Sequence, residues 1–154
     1  SNCRLGSGIA PVRAMRDAGV PVGLGVDGSA SNDLGNLMDE ARQTMLLQRV
    51  QNGADAMSAR EALEIATRGG ADVLGRPECG RIALGKRADI AIWDIAGVES
   101  AGSWDPAALV LAGPNKARHL IVQGKQIVSD YHLVTMDLPR VVEQQNKLAQ
   151  RLMD

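Results

Sequence analysis

Phenylalanine is absent from the 154 residues, and Trp93, Trp104 and Tyr131 are the only aromatic side chains. A protein that stacks single-stranded bases on aromatic platforms needs more of them. Charge of one sign is also missing: 17 basic and 18 acidic side chains leave a net charge of −1. No electrostatic pull toward nucleic acid or anionic lipid follows from that balance. No apolar run approaches the ~20 residues of a membrane-spanning helix. Two cysteines, Cys3 and Cys79, cannot form a disulfide framework,. With no signal peptide visible, a reducing cytoplasm is the expected compartment. Histidine is equally scarce. His119 and His132 stand alone, outside any H-x-H or H-E-x-x-H spacing. A catalytic zinc takes about three protein ligands, and no set of three with ligand-like spacing is present. No G-x-S-x-G elbow accompanies the serines, and Gly6-Ser7-Gly8 reads as a turn and helix cap. The chain by itself lacks a complete catalytic constellation.

What remains is an ordinary globular mixture, 45% apolar and 23% charged, with 17 glycines. The size is that of one domain. A helix is expected from about Gly8 to Ala18, with Ser7 as N-cap, Pro11 in the first turn and Gly19 as stop. Val20–Val26 reads as a short buried strand, and 27–33 as a polar loop. A long helix follows from about Leu34 to Gln51, with Leu34, Leu37, Met38, Ala41 and Met45 on one face. The alternation is that of an α/β fold. Ser58 and Glu61 form a capping box that opens the next helix, and Gly69-Gly70 interrupts it. After Gly80 the period changes. Residues 88–95 alternate as a strand, Asp105-Pro106 marks a loop, and 119–122 with 126–128 form a hairpin turned at Gly124. A last helix spans about Leu138 to Met153. The expected organisation is residues 1–76, 77–136 and 137–154.

Three features invite a functional reading. Gly23, Gly25 and Gly28 spell G-x-G-x-x-G, the dinucleotide-binding fingerprint. Two of these glycines lie inside the expected strand, and Asp27 would set a carboxylate where a pyrophosphate must sit. Close approach by backbone or a ligand explains the glycines better. Asp27 itself ends a strand, where α/β barrels and open α/β sheets place their ligands. Ser29, Ser31 and Asn32 give it a small polar surround. Position alone leaves three roles open: metal ligand, helix N-cap, or solvated loop residue. Asp39-Glu40 is a carboxylate pair, but adjacent helical residues do not face one another, so it reads as a solvated face.

Four segments together carry a resemblance: Ser1–Pro11, Gly25–Asn32 (GVDGSASN), Ala66–Ala71 with Leu74-Gly75, and Gly80–Asp94 (GRIALGKRADIAIWD). They resemble the C-terminal part of the amidohydrolase superfamily, in the branch of metal-dependent aminohydrolases that deaminate purines, pyrimidines and triazines. The resemblance implies the last strand and helices of a (β/α)₈ TIM barrel, then part of a small β-sandwich domain and a C-terminal helix. It places Asp27 as a metal ligand that helps take the proton from metal-bound water. Zinc is the expected metal and iron the alternative. The expected substrate is an 8-oxoguanine- or guanine-like heterocycle, and the expected partner state is a homo-oligomer. The family's histidine ligands and acid/base glutamate lie on strands not represented here. The 154 residues alone are therefore expected to be inactive, with exposed apolar helix faces. Ser1-Asn2 matches a loop near the substrate and reads as native sequence. The reading of another class is a non-catalytic module that binds a small ligand or a protein; a nucleotide binder using the glycine loop is the weakest.

Overall fold

Proline and glycine punctuation sets most of the element boundaries. The computed structural model describes residues 1–32, 34–113 and 116–153. They fall into two compact units, Ser1–Arg87 with Asp94–Asn115, and Ala88–Trp93 with Lys116–Asp154.

The first unit is helical. Helix α1 is the short Asn2–Leu5, ended by left-handed Gly6. Helix α2 spans Val12–Asp17 with Pro11 at its N-cap. The expected start at Gly8 under a Ser7 cap is corrected here: proline disfavours helical backbone in the residue before it, so the helix begins after Pro11. Helix α3 spans Leu37–Asn52, and the Asn36 side chain accepts from the Met38 amide at its N-terminus. Helix α4, Ala59–Glu64, carries the expected capping box, with both reciprocal bonds between Ser58 and Glu61 formed. Gly69-Gly70 does not break the chain there. A π-helical turn over Ile65–Gly69 leads directly into α5, Gly70–Val73. Helix α6, Pro106–Ala112, replaces the loop expected at Asp105-Pro106. The Asp105 side chain accepts from the Ala107 amide, and Pro106 opens the first turn, where its missing N–H does no harm.

Alanine dominates where these helices meet. Ala41, Ala59, Ala62 and Ala107 are buried together with Val12, Met57, Ile65 and Leu111. Val22 and Leu24 pack against this core. The segment 20–26 around them forms no strand among the described residues, contrary to expectation. A strand needs a neighbour to complete its ladder, and no described residue pairs with it. What holds the segment is close backbone packing. A Cβ at Gly69 would lie 2.2 Å from the Val22 carbonyl oxygen, and one at Gly23 would lie 2.9 Å from Gly70 Cα. The first glycine of the apparent fingerprint thus meets neighbouring backbone, while Gly25 and Gly28 face open space.

The second unit is an antiparallel sheet in the order β1-β2-β3-β4. Its strands are β1 (Ile90–Ile92), β2 (His119–Val122), β3 (Lys125–Ser129) and β4 (His132–Leu133). Ile90 pairs with Ile121, and Val122 with Lys125. The β2–β3 turn uses Gln123 and Gly124, both with positive φ, the two-residue geometry that matches strand twist. Asp89 Oδ1 accepts from the Gln123 amide at 2.7 Å. That bond gives Asp89, within the Gly80–Asp94 segment, a structural task. Helix α7, Leu138–Met153, has no buried residue; Val141, Val142, Leu148 and Leu152 are exposed, as expected of an uncovered apolar face.

Candidate functional site

Asp27 ends the segment that packs on α4, the π-turn and α5, and it stands on strained backbone. Its φ is 58°, one of four positive values among the described non-glycine residues. Left-handed backbone is uncommon outside glycine, although aspartate and asparagine tolerate it best. The side chain is exposed. No hydrogen bond or ion pair to its carboxylate is found among the described residues. The loop beyond it is tightly turned: the Ser31 and Asn32 amides both donate to the Gly28 carbonyl, at 2.9 and 3.1 Å.

Asn32 ties that loop to α3. Its Nδ2 donates to the Val26 carbonyl at 2.7 Å and to Glu40 Oε1 at 2.5 Å. Glu40 therefore does not belong to a solvated face, contrary to expectation. It sits in the first turn of α3 with its side chain 18% exposed, and the Ser1 amino group lies 3.5 Å from the same oxygen. Glu40 also lines a cavity of about 300 Å³ with Ile9, Met15, Val22, Leu24 and Gln43. Gln48 also lines the cavity. It is 1% exposed, accepting from the Arg13 amide at 3.0 Å and donating to the Ala10 carbonyl at 2.9 Å. Asp27 is outside the cavity lining. Gln48 had a signal in the sequence, since it continues the Ala41–Met45 stripe at helical spacing.

A second cavity of about 300 Å³ borders Arg16, Arg68, Glu64 and Asp72. Glu64 engages both arginines, at 3.5 and 2.6 Å.

Both histidines lie in the second unit, around Asp130. Arg118 Nε donates to Asp130 Oδ1 at 2.9 Å, and His119 Nε2 is 3.7 Å from the same oxygen. His132 Nδ1 contacts the Asp130 carbonyl at 2.6 Å. The Arg118 hydrogen bond, helped by its charge, holds the Asp130 carboxyl below the ordinary carboxylate range. Cys3 is exposed and Cys79 half-buried, both as free thiols.

Among the described residues no group of three or more His, Cys, Asp or Glu could hold a metal ion. A catalytic zinc takes about three protein ligands. These residues alone therefore do not fit a metal, and Asp27 offers one donor at most.

The sequence pattern of the amidohydrolase family matches residues 1–127. The chain belongs to the amidohydrolase family. Among its amidohydrolase relatives, 8-oxoguanine deaminase of Pseudomonas aeruginosa is 42% identical over 153 residues, which cover 99% of this chain and 34% of that protein. The crystal structure of atrazine chlorohydrolase TrzN from Arthrobacter aurescens complexed with zinc superposes with a TM-score of 0.89 at 41% identity, over 96% of this chain and 34% of that one. An adenosine deaminase from Xanthomonas campestris with bound zinc gives a TM-score of 0.92 at 29% identity, over 99% of this chain and 36% of that one. The chain thus spans about a third of the length of the relatives it matches, and its fold is a partial portion of the amidohydrolase TIM-barrel fold. No described helix is long and apolar enough to cross a membrane.

Proposed function

We propose that this chain is part of a metal-dependent hydrolase that deaminates an aminated heterocycle of the 8-oxoguanine or guanine type. The observation that carries this reading is Asp27: an exposed carboxylate on left-handed backbone, at the position where the family resemblance puts a metal ligand. The deaminase names of the relatives and the zinc in the solved neighbours support it. Hydrolytic deamination forms a bond from water oxygen to the carbon that bears the amino group. The carbon–nitrogen bond breaks, and the nitrogen leaves as ammonia with protons drawn from water. Asp27 would be one ligand of the metal site and an acceptor for a proton of the attacking water; the metal would supply the acidity of that water. Zinc is the metal proposed, with iron as the alternative, and the remaining ligands come from outside these residues. By themselves the 154 residues do not deaminate. The protein works in the cytoplasm as a homo-oligomer.

The test is ammonia release by the full-length protein from 8-oxoguanine, guanine and adenine nucleosides, before and after chelation. Chelator-sensitive release from an oxopurine is expected. Failure of the metal-loaded protein to release ammonia from any of these rings overturns the reading. The absence of a three-donor group among the described residues favours a second reading, a non-catalytic module that binds a small ligand or a protein. Metal content separates the two: about one zinc or iron per full-length chain belongs to the hydrolase, and a metal-free protein to the module.

A further inference from the structure

The backbone at Asp27 is held against its own preference. A non-glycine residue at φ 58° persists only where its surroundings over-determine it. The bonds that do so converge on one side chain. A primary amide carries two N–H donors, and Asn32 Nδ2 lies 2.7 Å from the Val26 carbonyl and 2.5 Å from Glu40 Oε1. One contact reaches the residue just before Asp27. The other reaches a carboxylate on α3, and hydrogen bonds to ionised groups are stronger than neutral ones. Glu40 is fixed in turn, because the Asn36 side chain caps α3 and the Glu40 amide donates to the Asn36 carbonyl at 3.3 Å. Asn32's own amide closes the turn on Gly28. The loop is therefore tied at its two ends and anchored to a helix through Glu40.

We infer that Asn32 and Glu40 are positioning residues, a donor–acceptor clamp that keeps Asp27 in its left-handed conformation with the carboxylate turned outward for chemistry. The part of this inference that concerns activity rests on the proposed function; the clamp itself does not. Glu40's work is to present an acceptor oxygen, not a catalytic proton. Asn32's work is to donate twice, so an acceptor of the same shape in its place sets three oxygens against one another.

The experiment uses the full-length protein and four forms: wild type, Asn32→Asp, Glu40→Ala and Glu40→Gln. Hydrogen exchange of the amides of residues 27–31 is the primary measurement, with helix α4 of the same unit as reference. Exchange in the loop is expected to rise roughly tenfold or more in Asn32→Asp and Glu40→Ala, as fits loss of a charge-assisted bond. Glu40→Gln, which keeps an acceptor oxygen but not its charge, rises clearly less than Glu40→Ala. Loop exchange that is unchanged in both disruptive variants overturns the clamp, and so does a Glu40→Gln loop as open as the Glu40→Ala loop. Two independent disruptions keep the test decisive if one variant fails to fold, which raised exchange in α4 would reveal. With a deaminated substrate in hand, kcat falls in the same rank order while KM moves little. If the wild-type protein deaminates nothing, the proposed function fails, and the exchange ranking still decides the clamp.

Discussion

Two aspartates among the described residues sit on left-handed backbone, and they are used in opposite ways. Asp27 has φ 58° and Asp130 φ 44°. Both follow a β-type sequence pattern; Asp27 precedes a turn that starts at Gly28, and Asp130 lies in one. At Asp130 the carboxylate is spent on its neighbours: Arg118 donates to it, His119 lies beside it, and His132 takes its carbonyl. At Asp27 the supporting bonds go to Val26, Gly28 and Asn32, and the carboxylate is left exposed. Local strain alone marks neither residue as functional. Strain that is supported through the backbone, with the charged group left over, is the informative combination.

The sharpest way to break this contrast is to neutralise each aspartate in turn. Asp27→Asn keeps the shape and the tolerance for left-handed backbone while removing the charge. Under the proposed function, kcat of the full-length protein is expected to fall by about 10²–10⁴-fold, the usual weight of a positioned acid–base group, with the melting temperature little changed. Asp27→Gly should lose activity equally and gain up to about 1 kcal/mol in stability from relief of backbone strain. Steady-state kinetics beside thermal melts read both. An active Asp27→Asn enzyme removes the residue from the reaction.

The support beneath Asp27 gives the next largest effect. Gly69→Ala places a Cβ 2.2 Å from the Val22 carbonyl oxygen, and backbone on both sides leaves no flexible side chain to yield. A loss of about 3 kcal/mol is expected, at the upper end of overpacking costs. Gly25→Ala, whose Cβ meets nothing within 4 Å, should be much milder. Urea denaturation of the two variants checks the order, and equal losses would mean that segment 20–26 does not need its close seat on the π-turn.

Sequence reasoning succeeded where a signal was local. The Ser58–Glu61 box, the Gly124 turn and the terminal helix each follow from a few adjacent residues, and all three formed. Asp27 stood out because glycines and serines flank it. It failed where the deciding partner is distant or absent. Segment 20–26 has the composition of a buried strand, yet pairing is a property of two segments, and no described residue supplies the second. Glu40 looked solvated because helix position alone cannot reveal Asn32 folding back eight residues to meet it. Asp130 escaped notice because its partners come from β2 and β4 as well as its own turn. Helix α6 is legible in the sequence: Asp-Pro is a cap followed by a first-turn proline as well as a loop signal, and here the cap prevails.

The smallest effect is expected at the second aspartate, and it sharpens the contrast by its sign with pH. The Arg118 bond holds the folded Asp130 carboxyl below its ordinary value of 3.8. Its stabilising contribution is therefore complete above that value and disappears as pH falls through the lower folded one. Asp130→Asn should melt slightly below wild type at pH 7. Solvent screens so exposed a pair, so the gap stays small, and it should close as the wild-type carboxylate protonates in acid. The deaminase activity proposed for the full-length protein should not change at neutral pH. Paired melts across the acid range, with activity measured at pH 7, decide this. A gap that widens in acid contradicts the ion-pair account of Asp130. Lost activity would give its turn a part in the chemistry, and the division of labour between the two strained aspartates would fall with it.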